Sequence, residues 1–120
     1  MIRTIGVDLV DLKRFTDPPE ERLVRRILSN DELAFYQTIT DPKRRITYLG
    51  GRFAAKEALF KALPPHGGDA RYTDITISAD NDGKPVVRSR LIPQGDVVHL
   101  SISHTDSHAT AFVILESDVT

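Results

Sequence analysis

The stretch from Asp41-Pro42 to Leu63 constrains the fold more than any other part of the chain. An acidic N-cap followed by proline at the first helical position starts a helix. Pro64-Pro65 ends it, because a residue before proline is pushed out of the helical region. The chain on either side of this long helix reads differently. Residues 2–10 are rich in Ile, Val and Leu and predict a buried or half-buried strand. Thr73 to Ser78 and Pro85 to Arg88 predict a hairpin around Asn81-Asp82-Gly83, since Asp-Gly between such runs favours a tight turn. Val97 to His104 and Thr110 to Glu116 predict a second hairpin around Thr105-Asp106-Ser107-His108. Two short helices precede the long one. In Glu20 to Leu28, Leu23, Val24, Ile27 and Leu28 share one face and Arg22, Arg25 and Arg26 the other. Ser29-Asn30-Asp31-Glu32 forms a capping box that opens the next. This order predicts one α+β domain over residues 1–120, an antiparallel sheet packed on one long helix. Gly50-Gly51 inside that helix costs about 1 kcal/mol per residue relative to alanine, so a neighbouring element or a ligand is expected to come close there.

Composition narrows the function classes. The formal net charge is −1, which gives no overall basic field for nucleic acid. The absence of cysteine removes disulfides, thiolate metal sites and cysteine nucleophiles. No run approaches the ~18 apolar residues of a membrane span, and Met1 to Gly6 has no secretory pattern, so a cytoplasmic protein is expected. At 120 residues the core is modest, and association with further copies is expected.

Asp8 ends the apolar run Ile5-Gly6-Val7-Asp8, where a charge is costly unless it is paired or binds a cation. Its alternatives are a helix cap or an arginine partner. Glu57 and Lys61 are i, i+4 neighbours near a buried stripe with Gly50 and Phe53, and a plain salt bridge between them is the simplest reading. Two carboxylates from different elements also suit Mg²⁺, which takes one or two of them plus phosphates and water. His104 stands at a strand end, placed for a proton shuttle or a phosphate contact. Ser103 and His104 are adjacent on a strand and point to opposite faces, so they cannot form a hydrolase pair. His66, His99 and His108 read as structural.

Taken in order, Ile5-Gly6-Val7-Asp8-Leu9-Val10, Arg52-Phe53-Ala54-Ala55-Lys56-Glu57-Ala58, Lys61-Ala62, Gly83-Lys84-Pro85 and Ser101-Ile102-Ser103-His104 resemble the motifs of the holo-acyl-carrier-protein synthases. These are small 4′-phosphopantetheinyl transferases carrying one half-unit of the superfamily fold per chain. The resemblance implies Mg²⁺-dependent transfer of phosphopantetheine from coenzyme A to a serine of acyl carrier protein, supporting fatty acid biosynthesis. It implies Asp8 and Glu57 as metal ligands, and Glu57, Lys61 and His104 as catalytic residues. Arg44, Arg52, Lys61, Lys84, Pro85, Ser103 and His104 are implied as coenzyme A contacts. Arg14, Arg22, Arg25 and Arg26 are implied to grip the acidic helix of the carrier protein. A homotrimer with active sites between subunits is also implied. The loop Pro64-Pro65-His66-Gly67-Gly68-Asp69 departs from the Gly-Thr-Gly-like loop common in small members. Two other readings stand beside this one: an inactive relative that binds coenzyme A or a carrier, and a structural oligomer in which Asp8 and Glu57 pair arginines.

Overall fold

The computed structural model describes residues 1–65 and 68–117. Its long helix, α3, spans Pro42–Ala62, and the Asp41 carboxylate accepts from the Arg44 amide at 3.3 Å as its N-cap. Before it lie strand β1 (Ile2–Asp11) and helices α1 (Glu21–Ile27) and α2 (Asn30–Thr38). After it come β2 (Ile75–Ala79), β3 (Pro85–Ser89), β4 (Asp96–His104) and β5 (His108–Ser117). The α+β class and the antiparallel sheet on one long helix are as expected. The strands, however, divide between two sheets. One is antiparallel in the order β1-β5-β4, and the other is the β2-β3 hairpin. The chain turns at Ser89–Ile92 and again at Pro93–Asp96 (amide to carbonyl 3.4 and 3.0 Å), so β3 packs on β4 without a shared ladder.

Alternation along β5 explains why α3 lies on this sheet. Ala109, Ala111, Val113 and Leu115 are buried, and across β1 they meet Gly6 and Val10 on the same face. Leu49, Phe53, Ala54, Ala58, Leu59 and Ala62 of α3 cover them. The small residues let helix and strand backbones approach closely. A Cβ at Gly6 would lie 2.0 Å from the Ala58 carbonyl oxygen and 3.3 Å from the Ala62 amide nitrogen. Those atoms are helix backbone and cannot rotate away. Gly6→Ala is therefore expected to lift α3 from β1 at a cost near the upper end of overpacking, about 3 kcal/mol; a thermal midpoint within 2 °C of the parent (~0.5 kcal/mol) would contradict it. At Gly50 a Cβ would meet a Leu12 methyl at 2.4 Å, a close approach to a side chain and not to backbone.

Helix α1 buries Val24 and Ile27, with Leu28 beyond it, and exposes Arg22, Arg25 and Arg26. The first residues assigned to β2 from sequence instead form a 3-10 turn, Tyr72–Asp74, because the Asp74 carboxylate accepts from the Arg71 amide at 2.9 Å and holds a local turn in place of the ladder. The capping box of α2 is present, with Glu32 accepting from the Ser29 amide at 2.9 Å. Glu32 is also a structural hub. Only 2% exposed, it takes Lys56 Nζ at 2.5 Å and the Ile77 amide at 2.8 Å. Lys56, with no exposed surface, donates further to the carbonyls of Ile27 (2.7 Å) and Tyr72 (3.0 Å), which satisfies all three of its N–H groups. Burial pulls the Lys56 ammonium below its ordinary pKa, and the Glu32 carboxylate pulls it back up.

Candidate active site

Inward-facing positions of β1 alternate, so Asp8 points to the helix side with its side chain 18% exposed. Lys61, near the end of α3, reaches it: Nζ donates to Asp8 Oδ1 at 3.2 Å and to the Val7 carbonyl at 2.9 Å. Glu57 lies about one turn earlier on the same helix face, about 6 Å along the axis. It does not take Lys61 as its partner, so the simple i, i+4 salt bridge is absent. Its Oε1 accepts instead from the Tyr72 hydroxyl. The Tyr72 hydroxyl keeps its proton far up the scale, pushed to about 12, first by burial and then by the bond to Glu57. Among the described residues neither carboxylate pairs an arginine.

Tyr72 brings the arginines into the same region. Its ring packs on Phe53 and Phe60, each centroid 5.5 Å away, and Arg14 stacks over the Phe53 ring at 4.7 Å. Arg25, Arg26 and Arg71 join Phe60, Tyr72 and Thr73 in lining a cleft of about 680 Å³. Arg22 shares the exposed face of α1 with Arg25 and Arg26 at helical spacing. Arg14, Arg25 and Arg26 thus lie around the Tyr72 side of Glu57, and Arg71 adds a fourth positive charge; Arg22 does not line this cleft.

A second cleft, of about 640 Å³, lies at the other end of α3. Lys43, Arg44, Tyr48, Gly51, Arg52 and His104 are among its walls. Arg52 lies over the Tyr48 ring at 4.3 Å, and its Nη2 donates to the Ile77 carbonyl at 3.4 Å. Its Nε is buried without a partner among the described residues, a donor available to an anion. Gly51 forms part of this wall, and a Cβ there would lie 3.3 Å from an Ile102 methyl.

The residues picked out from sequence therefore fall into two groups. Asp8, Glu57 and Lys61 gather at one end of α3, and Arg44, Arg52 and His104 gather around the other cleft. Ser103 alternates to the opposite face of β4 and lines neither cleft. Pro85 begins β3 and Lys84 precedes it, its amide donating to Asp80 Oδ1, and neither residue lines either cleft. His99 pairs Glu116 at 2.9 Å and His108 bonds Ser107 at 2.8 Å, both structural contacts. His66 and Gly67 of the 64–69 loop lie outside the described residues. Sequence reasoning missed Tyr72, Tyr48, Lys43 and Arg71. Only Tyr72 left a trace: Phe53 and Phe60 sit at i−4 and i+3 from Glu57, an aromatic groove beside an acid.

One acid on β1 and another on the long helix, with a basic cleft towards each end of that helix, have the outline of an enzyme that handles a large anionic substrate. Residues 4–113 match the 4′-phosphopantetheinyl transferase superfamily, and the chain belongs to it. It is 43% identical over 119 residues to the holo-[acyl-carrier-protein] synthase of Acholeplasma laidlawii, spanning 99% of this chain and 100% of that protein. The crystal structure of a holo-(acyl-carrier-protein) synthase from Bacillus anthracis in complex with CoA (3′,5′-ADP) superposes with a TM-score of 0.85. Identity there is 36%, and 98% of each chain is covered. The synthase of Neisseria meningitidis superposes at 0.83 with 34% identity, over 98% of this chain and 100% of that one. Among the described residues no helix is long and apolar enough to cross a membrane.

Proposed function

We propose that this chain transfers the 4′-phosphopantetheine group of coenzyme A to a serine hydroxyl of apo acyl carrier protein, giving holo carrier protein and 3′,5′-ADP. The serine oxygen bonds to the β-phosphorus as the bond from that phosphorus to the bridging oxygen of the pyrophosphate breaks. The serine proton passes to Glu57 directly or through one water. Holo carrier protein made this way serves fatty acid biosynthesis.

The observation that carries this reading is that Asp8 and Glu57, from separate elements, converge on the Lys61-bearing end of α3 beside an arginine-bordered cleft. A binding module has no need of that arrangement. The donor set is oxygen only, and the described residues hold no group of three or more His, Cys, Asp or Glu that would favour another ion. Two carboxylates with room for phosphate and water fit Mg²⁺. Asp8 and Glu57 would hold it, and when bound it supplies neutralisation of the pyrophosphate charge. Lys61 steadies the phosphates. Arg44, Arg52 and His104 hold the nucleotide end, with Ser103, Lys84 and Pro85 as further contacts. Arg14, Arg22, Arg25 and Arg26 meet the acidic helix of the carrier, where charge complementarity speeds encounter and sets register.

The same geometry supports a homotrimer with each active site between neighbours. The basic cleft and the acidic pair sit at opposite ends of α3, so a neighbour's cleft can complete the site that one subunit begins. The outer face of the β1-β5-β4 sheet supports association: Ile5, Val7, Leu9, Phe112 and Val97 are each more than two-fifths exposed there.

Mass spectrometry of apo acyl carrier protein incubated with this protein, coenzyme A and Mg²⁺ tests the function, beside a parallel sample with EDTA. The expected result is a phosphopantetheine mass gain that disappears with EDTA. No gain on several carrier proteins would replace the reading with that of an inactive, coenzyme A-binding relative.

A further inference from the structure

Glu57 is surrounded by groups that its expected role leaves unused. Its Oε1 is engaged by Tyr72, and its Oε2 has no partner among the described residues. Lys61, one turn on, is within reach of a flexible glutamate, yet it bonds Asp8 and the Val7 carbonyl. Something holds Glu57 away from it. The Tyr72 hydroxyl is the only group bonded to that carboxylate among the described residues, and Tyr72 is itself fixed at three points. Phe53 and Phe60 sandwich its ring from positions i−4 and i+3 relative to Glu57. The buried Lys56 ammonium grips its carbonyl at 3.0 Å.

We infer that Tyr72 is the positioning residue for Glu57. Its hydroxyl occupies Oε1, leaves Oε2 without a partner among the described residues, and keeps the carboxylate from closing an ion pair with Lys61. This rests on the proposed role of Glu57 as a metal ligand. Mutating a residue that orients a metal ligand by hydrogen bonding to it typically costs about ten- to a hundred-fold in metal affinity or activity. The fixed ring matters because a hydroxyl on a mobile side chain would lose, in ordering entropy, much of what the bond contributes. Lys56, buried and remote from any substrate, is thereby tied to the site through the Tyr72 backbone.

The test uses Mn²⁺ as the probe, with affinity for the full-length protein measured by electron paramagnetic resonance in the presence of 3′,5′-ADP. Tyr72→Phe keeps the ring between Phe53 and Phe60 and removes only the hydroxyl. It is expected to weaken Mn²⁺ binding about ten- to a hundred-fold, while Glu57→Gln weakens it at least as much. If Glu57→Gln abolishes binding and Tyr72→Phe melts lower but binds Mn²⁺ like the parent, Tyr72 is a packing residue and the inference falls alone. If Glu57→Gln leaves Mn²⁺ affinity unchanged, the metal role of Glu57 falls and the inference with it. Should Tyr72→Phe fail to fold, the parent protein labelled with ¹³Cζ-tyrosine reports directly. The Tyr72 resonance should shift when diamagnetic Mg²⁺ is added with 3′,5′-ADP, and an unmoved resonance overturns the inference.

Discussion

Replacing Lys56 by methionine is expected to destabilise the fold by about 3–5 kcal/mol, the usual result of removing one partner from a buried ion pair. Methionine fills a similar volume, so the loss comes from what is left behind. Glu32, 2% exposed, would keep its charge with only the Ser29 and Ile77 amides to stabilise it. The carbonyls of Ile27 and Tyr72 would lose their buried donor. Each abandoned acceptor adds a desolvation penalty of about 1–3 kcal/mol. The damage reaches five elements, because the pair joins the end of α1, the start of α2, the middle of α3, the 3-10 turn at Tyr72 and strand β2. Removing Glu32 as well would not restore stability. Its carboxylate also serves two backbone amides that would then lie buried and unpaired. A thermal midpoint lowered by more than about 10 °C is expected for Lys56→Met. A melt within about 2 °C of the parent would mean that the pair contributes little, and that the elements it joins are held by the apolar core alone.

That pair also shows where sequence reading stops. Caps and stops are local, so the Ser29–Glu32 box gave the start of α2, and Asp41, Pro42 and Pro64 gave both ends of α3 within a residue or two. Alternation is local too, and it placed β4 and β5 with their turn. Lys56 was different. It was visible as a charge at a buried helical spacing from Leu49 and Phe53, but its partner lies 24 residues away, a separation no period reveals. The same holds at the site. Motif order named Asp8, Glu57, Lys61 and His104, yet only the folded chain shows that the first three meet at one end of α3 and the last faces another cleft. Tyr72 follows a loop with no pattern of its own, so nothing local tied it to Glu57. The division of the strands into two sheets was equally hidden, since a turn and a ladder differ in partners and not in composition.

Glu57→Gln is expected to lower transfer activity by at least about a thousand-fold while leaving the melting temperature within a few degrees of the parent. The two effects separate because of where Glu57 sits. It is half-buried, carries none of the backbone contacts that Glu32 carries, and its single recorded bond is to the Tyr72 hydroxyl. A glutamine carbonyl oxygen can accept that same bond, so the Tyr72 ring and its packing on Phe53 and Phe60 should persist. What the amide cannot do is supply negative charge to a divalent cation or take the serine proton. Losing a hard anionic ligand and a proton acceptor together removes two contributions. General base assistance alone is worth about a hundred- to ten-thousand-fold. Carrier-protein affinity, which the proposed reading assigns to the arginines on α1 and to Arg14, should be unchanged, so KM for the carrier should hold while kcat falls. The opposite split, with kcat intact and KM raised, would assign Glu57 to carrier binding and leave Asp8 and Lys61 without the partner on which the proposed chemistry depends.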